Sequence, residues 1–144
     1  MDIAALLTLP DRNWKPMPGA TDVDIARLVK QSPLTLPDTF LSLLRYCNGG
    51  EGDISLPPLY FVLDPIHTII EGFDDQILRE SFPGLLFFGG NGGLERIAFA
   101  SQDAKISPSV VMVDPIAGTD SNEIIAKDFD EFVASVGIPS QDPA

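Results

Sequence analysis

His67 is the only histidine in the sequence and Cys47 the only cysteine. Imidazole is the side chain that moves protons near neutral pH, so any Ser-His-Asp or Cys-His chemistry must run through His67. Asp64 precedes it by three residues, but no Gly-x-Ser-x-Gly elbow occurs and nothing in the spacing brings Cys47 to it. Cys47 completes the series Phe40, Leu43, Leu44, Cys47. That i, i+3, i+4, i+7 stripe belongs to a helix face turned toward a core, where a thiol behaves as a small hydrophobe. His67 reads as a partly exposed helix residue, and a small hydrolase built on it is the weakest reading of the chain.

The run Gly89-Gly90-Asn91-Gly92-Gly93 invites a phosphate-loop reading. A phosphate loop needs Gly-Lys-Ser/Thr at a helix start, so that lysine and helix dipole face the phosphates. Here Leu94-Glu95 leads into a strand and brings a negative charge, and Glu95 stands where a dinucleotide fingerprint needs its last glycine. With one His and one Cys, zinc is disfavoured. Asp120-Ser121-Asn122-Glu123 offers oxygens but lacks the glycine and twelfth-position glutamate of a calcium loop. No catalytic residue, cofactor or metal is expected.

What remains is acidity. The 144 residues carry 21 acids against 9 bases, a net charge of −12. Such a surface repels phosphate backbones and anionic lipid headgroups, so nucleic-acid and membrane partners are disfavoured and a basic protein partner is the natural complement. Plain solubility is the competing use of the same charge. Asp64, Glu71, Asp74 and Asp75 follow one another with no intervening base, and Asp114, Asp120, Glu123, Asp128, Asp130 and Glu131 face Lys127 alone. Asp128 and Asp114 suit cap and turn positions. Asp74, Asp75, Asp120 and Glu123 have no such role in the sequence, and with Glu71 they are the candidate partner-binding residues.

The elements that must position these groups follow from periodicity and punctuation. Leu85–Phe88 and Glu95–Phe99 flank the glycine run and read as a central hairpin, with Phe87, Phe88, Ile97 and Phe99 in the core and Gly89–Gly93 as the reversal. Thr21 caps a helix from Asp22 to about Ser32 that turns Ile25, Leu28 and Val29 inward. Leu36-Pro37 opens a second helix, closed by Asn48-Gly49-Gly50 as a left-handed cap. Ile54–Leu56 reads as a short edge strand and Leu59–Leu63 as a firm one. Asp64-Pro65 reads as N-cap and first turn of a helix carrying Ile66, Ile69 and Ile70. A further turn from Asp74 to Ser81 turns Ile77 and Leu78 to the body. Val110–Val113 and Ile124–Ala126 are strands, and Asp128 caps a closing helix whose Phe129, Phe132, Val133 and Val136 share a face. Residues 1–20, with Pro10, Pro16, Pro18 and the only tryptophan, Trp14, read as an arm packing on a single α+β domain over 21–144. No apolar run reaches the ~18 residues of a membrane span. The acid at Asp2 and the short apolar run argue against a signal peptide, and a lone cysteine permits no internal disulfide, so a cytoplasmic protein is expected.

Three blocks in this order resemble the SUKH superfamily, which includes the yeast cell-wall assembly regulator and many bacterial toxin-immunity proteins. They are Leu36-Pro37 through Asn48-Gly49-Gly50, the hairpin Phe87 to Phe99 around Gly89-Gly90-Asn91-Gly92-Gly93, and Ile125-Ala126 leading into Asp128–Phe132. Where the family hairpin often has a third consecutive glycine and an aspartate ending its second strand, this chain has Leu94 and Ala100. The resemblance implies a mixed or antiparallel sheet around the glycine-rich hairpin, with two N-terminal helices and a C-terminal helix packed on it. It also implies a non-catalytic protein-binding role. An immunity protein neutralising a basic nuclease toxin is the leading form of that role, and a regulatory interaction module without a toxin is the alternative.

Overall fold

The computed structural model describes residues 2–101, 107–117 and 122–140. Seven strands pair in chain order: β1 (Trp14–Pro16), β2 (Gly50–Asp53), β3 (Tyr60–Leu63), β4 (Leu85–Gly90), β5 (Arg96–Ala100), β6 (Ser109–Val113) and β7 (Glu123–Ala126). Every pairing is antiparallel, so the α+β class expected from sequence takes its antiparallel form. Helices are inserted into this meander. α1 (Ile3–Leu7) precedes β1, and α2 (Asp22–Gln31) and α3 (Asp38–Tyr46) separate β1 from β2. α4 (Ile66–Phe73) and α5 (Gln76–Ser81) separate β3 from β4, and α6 (Phe129–Ser135) follows β7.

Side chains alternate across a strand, and this divides the core in two. Leu86, Phe88, Ile97 and Phe99 point to one face, where α1, α2, α3, α4 and α6 contribute Ile3, Leu28, Phe40, Ile69 and Phe132. Leu85, Phe87, Ala98 and Ala100 point to the other, where they join Phe82, Val111 and Val113. The sequence expectation that Phe87 shares a core with Phe88, Ile97 and Phe99 is therefore corrected: Phe87 packs edge-on against Phe82 behind the sheet. On the main face Phe88 touches the rings of Phe40, Phe61, Phe99, Phe129 and Phe132 at centroid distances of 4.4–6.0 Å. Most of these pairs are edge-to-face, the arrangement the ring quadrupole favours.

The register also moves the hairpin's reversal. Gly89 pairs with Ile97 and Gly90 with Arg96, past a bulge after Phe87. Both glycines are thus ladder residues, and the turn is Asn91–Leu94, closed by the Asn91 N–H donating to the Glu95 carbonyl at 3.1 Å. Gly92 alone among the run's glycines has a left-handed φ, +80°. Asn91 Oδ1 accepts from the backbone N–H of Gly93 (2.8 Å) and Glu95 (3.2 Å), which replaces the ladder inside the turn. Gly89 answers to crowding instead: a Cβ there would lie 2.4 Å from the Val62 carbonyl oxygen.

Local capping holds at the starts of α1, α2, α5 and α6 and gives way at α3 and α4. Thr21 accepts from the Asp24 N–H (3.1 Å) and Asp128 from the Glu131 N–H (2.8 Å), as cap residues should. Ile25 and Leu28 of α2 are buried, but Val29 is half exposed. In α5 only Leu78 turns inward, and Ile77, expected to pack, is 75% exposed. The strand expected at Ile54–Leu56 lies immediately before those residues, at Gly50–Asp53, and β1 covers it, so it is no edge. Ile54 instead bridges to Val136. The amino-terminal arm contributes α1, with Ile3 and Leu7 buried, and the strand carrying Trp14.

Truncating the central ring separates the two faces. Phe88→Ala should cost about 3–5 kcal/mol, the range for emptying an aromatic core site, and Phe87→Ala roughly half of that or less, because Phe87 is only half-buried. Urea unfolding of the two variants measures the difference.

Candidate functional site

At the amino-terminal end of α4 the surface opens into a groove of about 680 Å³. One wall is the extended segment Lys15-Pro16-Met17-Pro18-Gly19, the floor is Asn48-Gly49-Gly50-Glu51, and the far wall is Val62, Leu63, Pro65 and His67. Apart from Lys15, Glu51, Asn48 and His67, these side chains are apolar or absent. Met17 is more than half exposed above the floor.

The groove follows from the way the chain crosses itself. α3 ends at Cys47, whose backbone is extended, so the left-handed helix cap expected at Asn48-Gly49-Gly50 is not the device used. Gly49 (φ +114°) and Gly50 (φ +153°) serve the crossing that follows. A Cβ on Gly50 would sit 2.8 Å from both the Lys15 carbonyl oxygen and the Trp14 ring, and one on Gly19 would sit 2.0 Å from the Arg45 carbonyl oxygen. Glycine is the residue that lets backbones approach this closely. Asn48 locks the crossing. Its N–H donates to the Pro18 carbonyl (2.8 Å), and its Oδ1 accepts from the Ile66 N–H (2.8 Å), one of the donors a helix start leaves unpaired.

This displaces the sequence expectation for Asp64. The N-cap of α4 is Pro65, which offers no side-chain bond, and Asn48 supplies the cap from another element. Asp64 turns away and pairs with Arg96 across β4, Oδ2 to Nη2 at 2.8 Å, with the carboxylate largely buried. A Cβ on Gly90 would come within 3.2 Å of the Arg96 guanidinium, so glycine there lets Arg96 lie flat on the sheet. On the same face Tyr60 is held above its usual pKa by burial, then by the charge of Glu51 and a hydrogen bond to it.

The two residues that could carry nucleophilic chemistry are set differently. His67 is exposed on the groove's far wall. Cys47 is fully buried, and burial pushes its thiol up to about 11, opposed by the Trp14 indole N–H beside the sulfur. That N–H reaches no oxygen or nitrogen acceptor. A thiol ionising near 11 holds almost no thiolate at neutral pH, so Cys47 is not an activated nucleophile. Among the described residues no group of three or more His, Cys, Asp or Glu could hold a metal ion, and no helix is long and apolar enough to cross a membrane.

The candidate acids lie elsewhere. Glu71 is on α4, Asp74 follows its last residue, and Asp75 caps α5 by accepting from the Leu78 N–H (3.1 Å), a structural role that sequence did not reveal. These three share the carboxyl end of α4, one helix length from the groove. Glu123 stands on β7, three strands from β4, against which α4 packs, so it does not join them. Asp120 lies outside the described residues. Sequence reasoning missed the wall formed by Lys15–Gly19. Its signal was Pro-Met-Pro-Gly, a segment poor in backbone donors that stays extended and leaves a methionine in water.

Residues 19–135 match the model of the SMI1 / KNR4 family (SUKH-1), a span that runs from the groove's Gly19 to the end of α6. The near wall up to Pro18, with β1 at its start, precedes the matched span. No individual curated protein matches the chain.

Two outcomes test this geometry. Asn48→Ala should cost about 1–2 kcal/mol, since it strips the α4 start of its acceptor, while Asn48→Asp, which keeps one, should cost less by thermal melting. Iodoacetamide should leave Cys47 unlabelled at about pH 8 until the protein is denatured. The raised thiol pKa stabilises the fold fully below the ordinary value of 9.0, and this contribution is lost as pH climbs through about 11, because the unfolded thiol ionises first.

Proposed function

Since this chain belongs to the SMI1/KNR4 family (SUKH-1), we propose that it is a non-catalytic immunity-type protein that binds a basic toxin domain and neutralises it by covering its working surface. The observation that carries this reading is the groove at the start of α4: an open apolar cleft whose ionisable lining is Lys15, Glu51 and His67, with the nearby thiol buried and protonated. Such a cleft can hold a partner's apolar side chains but has no acid, base and nucleophile arranged around one reacting atom. The net charge of −12 supplies the second half. A nuclease carries a basic surface for phosphates, and an acidic protein competes for that surface while steering the encounter. Hydrophobic anchors in the groove provide the hold, and charge sets mainly the rate of association.

The test begins with the neighbouring genes: a basic toxin domain encoded beside this one is co-expressed with it, and the purified proteins are then mixed. Co-expression should restore growth, and an equimolar complex should block the toxin's activity. Met17→Glu should weaken the complex by at least about tenfold, as expected when an apolar contact is replaced by a buried charge. His67→Ala removes one contact on the groove's far wall and should still protect when present in excess; protection lost while the complex still forms would return catalysis to consideration. Neutralising Glu71, Asp74 and Asp75 to Gln and Asn should slow association and flatten its salt dependence. The melting temperature should stay nearly the same, because Asn at 75 still caps α5. If the purified proteins neither associate nor protect, the regulatory-module reading takes the place of immunity.

A further inference from the structure

The carboxyl end of α4 borders a second pocket, about 310 Å³ and more enclosed than the groove. Ile69 and Phe73 from α4, Leu78 from α5 and Leu86 and Phe87 from β4 make most of its wall apolar, with Gln31, Asp74 and Arg79 as its polar members. On its wall sits Gly72, and nothing in the fold requires a glycine there. Gly72 is the penultimate residue of α4, its φ is not left-handed, and a Cβ built on it meets no atom within 4 Å. Gly19, Gly50 and Gly89 are crowded by backbone; Gly72 faces open space. Inside a helix glycine is the poorest residue after proline, so alanine would favour α4 at no steric cost. Ile69, Gly72 and Phe73 share the i, i+3, i+4 face that lines the pocket, so a side chain at 72 would enter that space.

The charges around the pocket say what would fill it. Of the charged residues only Asp74 and Arg79 line the pocket itself; the surface next to it carries Glu71 on α4 and Asp75 and Glu80 at the two ends of α5, with Lys30 near the end of α2. None of the four acids is in an ion pair among the described residues. Ile77, three-quarters exposed, stands beside Leu78 on α5 and adds apolar surface outside. A mainly apolar cavity set in an acid-rich stretch of surface is complementary to an apolar side chain carried between lysines or arginines.

We propose that this pocket receives an apolar anchor from a basic segment of the protein partner, and that Gly72 keeps it open. The assignment rests on the basic-partner reading above and adds a second contact point to it, at the opposite end of α4 from the groove.

The test uses two fluorescein-labelled peptides, each a leucine or a serine flanked on both sides by lysines, with binding to the full chain read by fluorescence anisotropy. Wild type should prefer the leucine peptide by at least about tenfold, and Gly72→Leu, which plugs the pocket with its own side chain, should bind the two alike. Gly72→Ala should melt a few degrees above wild type and keep most of the preference. Glu71→Gln with Asp74→Asn should weaken both peptides equally and flatten the salt dependence. Equal binding of the two peptides by wild type would mean that charge alone is read and would overturn the pocket, with no variant needed. Unchanged preference in Gly72→Leu would overturn it too, as would a wild-type dimer that Gly72→Leu dissociates in sedimentation equilibrium, which would assign the pocket to a second copy. Full toxin protection by Gly72→Leu would remove the pocket from the interface and leave the immunity reading standing. Failure of wild type to protect, with the leucine preference intact, would do the reverse.

Discussion

The contact of Phe88 with five other rings is the constraint on which the rest of the fold depends. Phe88 sits on the central strand β4, and through it Phe40 of α3, Phe61 of β3, Phe99 of β5 and Phe129 and Phe132 of α6 are held in one cluster. Two helices and three strands distant in sequence thus share a single packing solution. Close-packed aromatic interiors tolerate little adjustment, so the position of α3 relative to β3 and β4 is set by these rings. The groove is a consequence. Its floor is the tail of α3, its far wall is the end of β3 and the start of α4, and the two meet where Asn48 caps Ile66.

Around that frame, glycines mark where the chain runs close to itself. At Gly19, Gly50, Gly52 and Gly89 the neighbouring backbone comes nearer than any Cβ would allow, and each lies where β1, β2, β3 or the tail of α3 presses on another segment. The short strand β1 can therefore lie flat on β2, with Trp14 stacked on Phe61 beneath it. Gly72 differs from these four: no atom lies within 4 Å of its missing Cβ, and it borders the pocket at the carboxyl end of α4.

Charge plays two distinct parts. Asp64 and Arg96 are partly buried and pair across the sheet, tying β5 to the junction of β3 and α4. Burial raises the stakes of that pair, since removing either partner strands the other. The acids at the end of α4 are exposed, apart from the backbone N–H that Asp75 accepts. Exposed carboxylates cost the fold little, and their field reaches into the solvent over the ~8 Å screening length of physiological salt.

The sequence by itself determined the class, the family resemblance, most strands, and the caps at Thr21 and Asp128. These depend on local terms: side-chain period, turn propensity, and hydrogen bonds that reach three residues along the chain. It also made Cys47 a core residue, because helical spacing alone placed it on the buried stripe. Tertiary structure decided everything that joins distant segments. Asp64-Pro65 satisfied the local rule for a helix start, yet Asn48 from another element made the bond and released Asp64 to Arg96. Phe87 and Phe88 are equivalent in composition, and the pleat sent them to opposite faces. Asp74 and Asp75 looked alike as unexplained acids, until the short turn between α4 and α5 made one of them a cap. Pro-Met-Pro-Gly marked one wall of the groove, but neither the groove nor the pocket at the other end of α4 could be read locally, since a concave surface is made by elements that meet in space and not by neighbours in the chain.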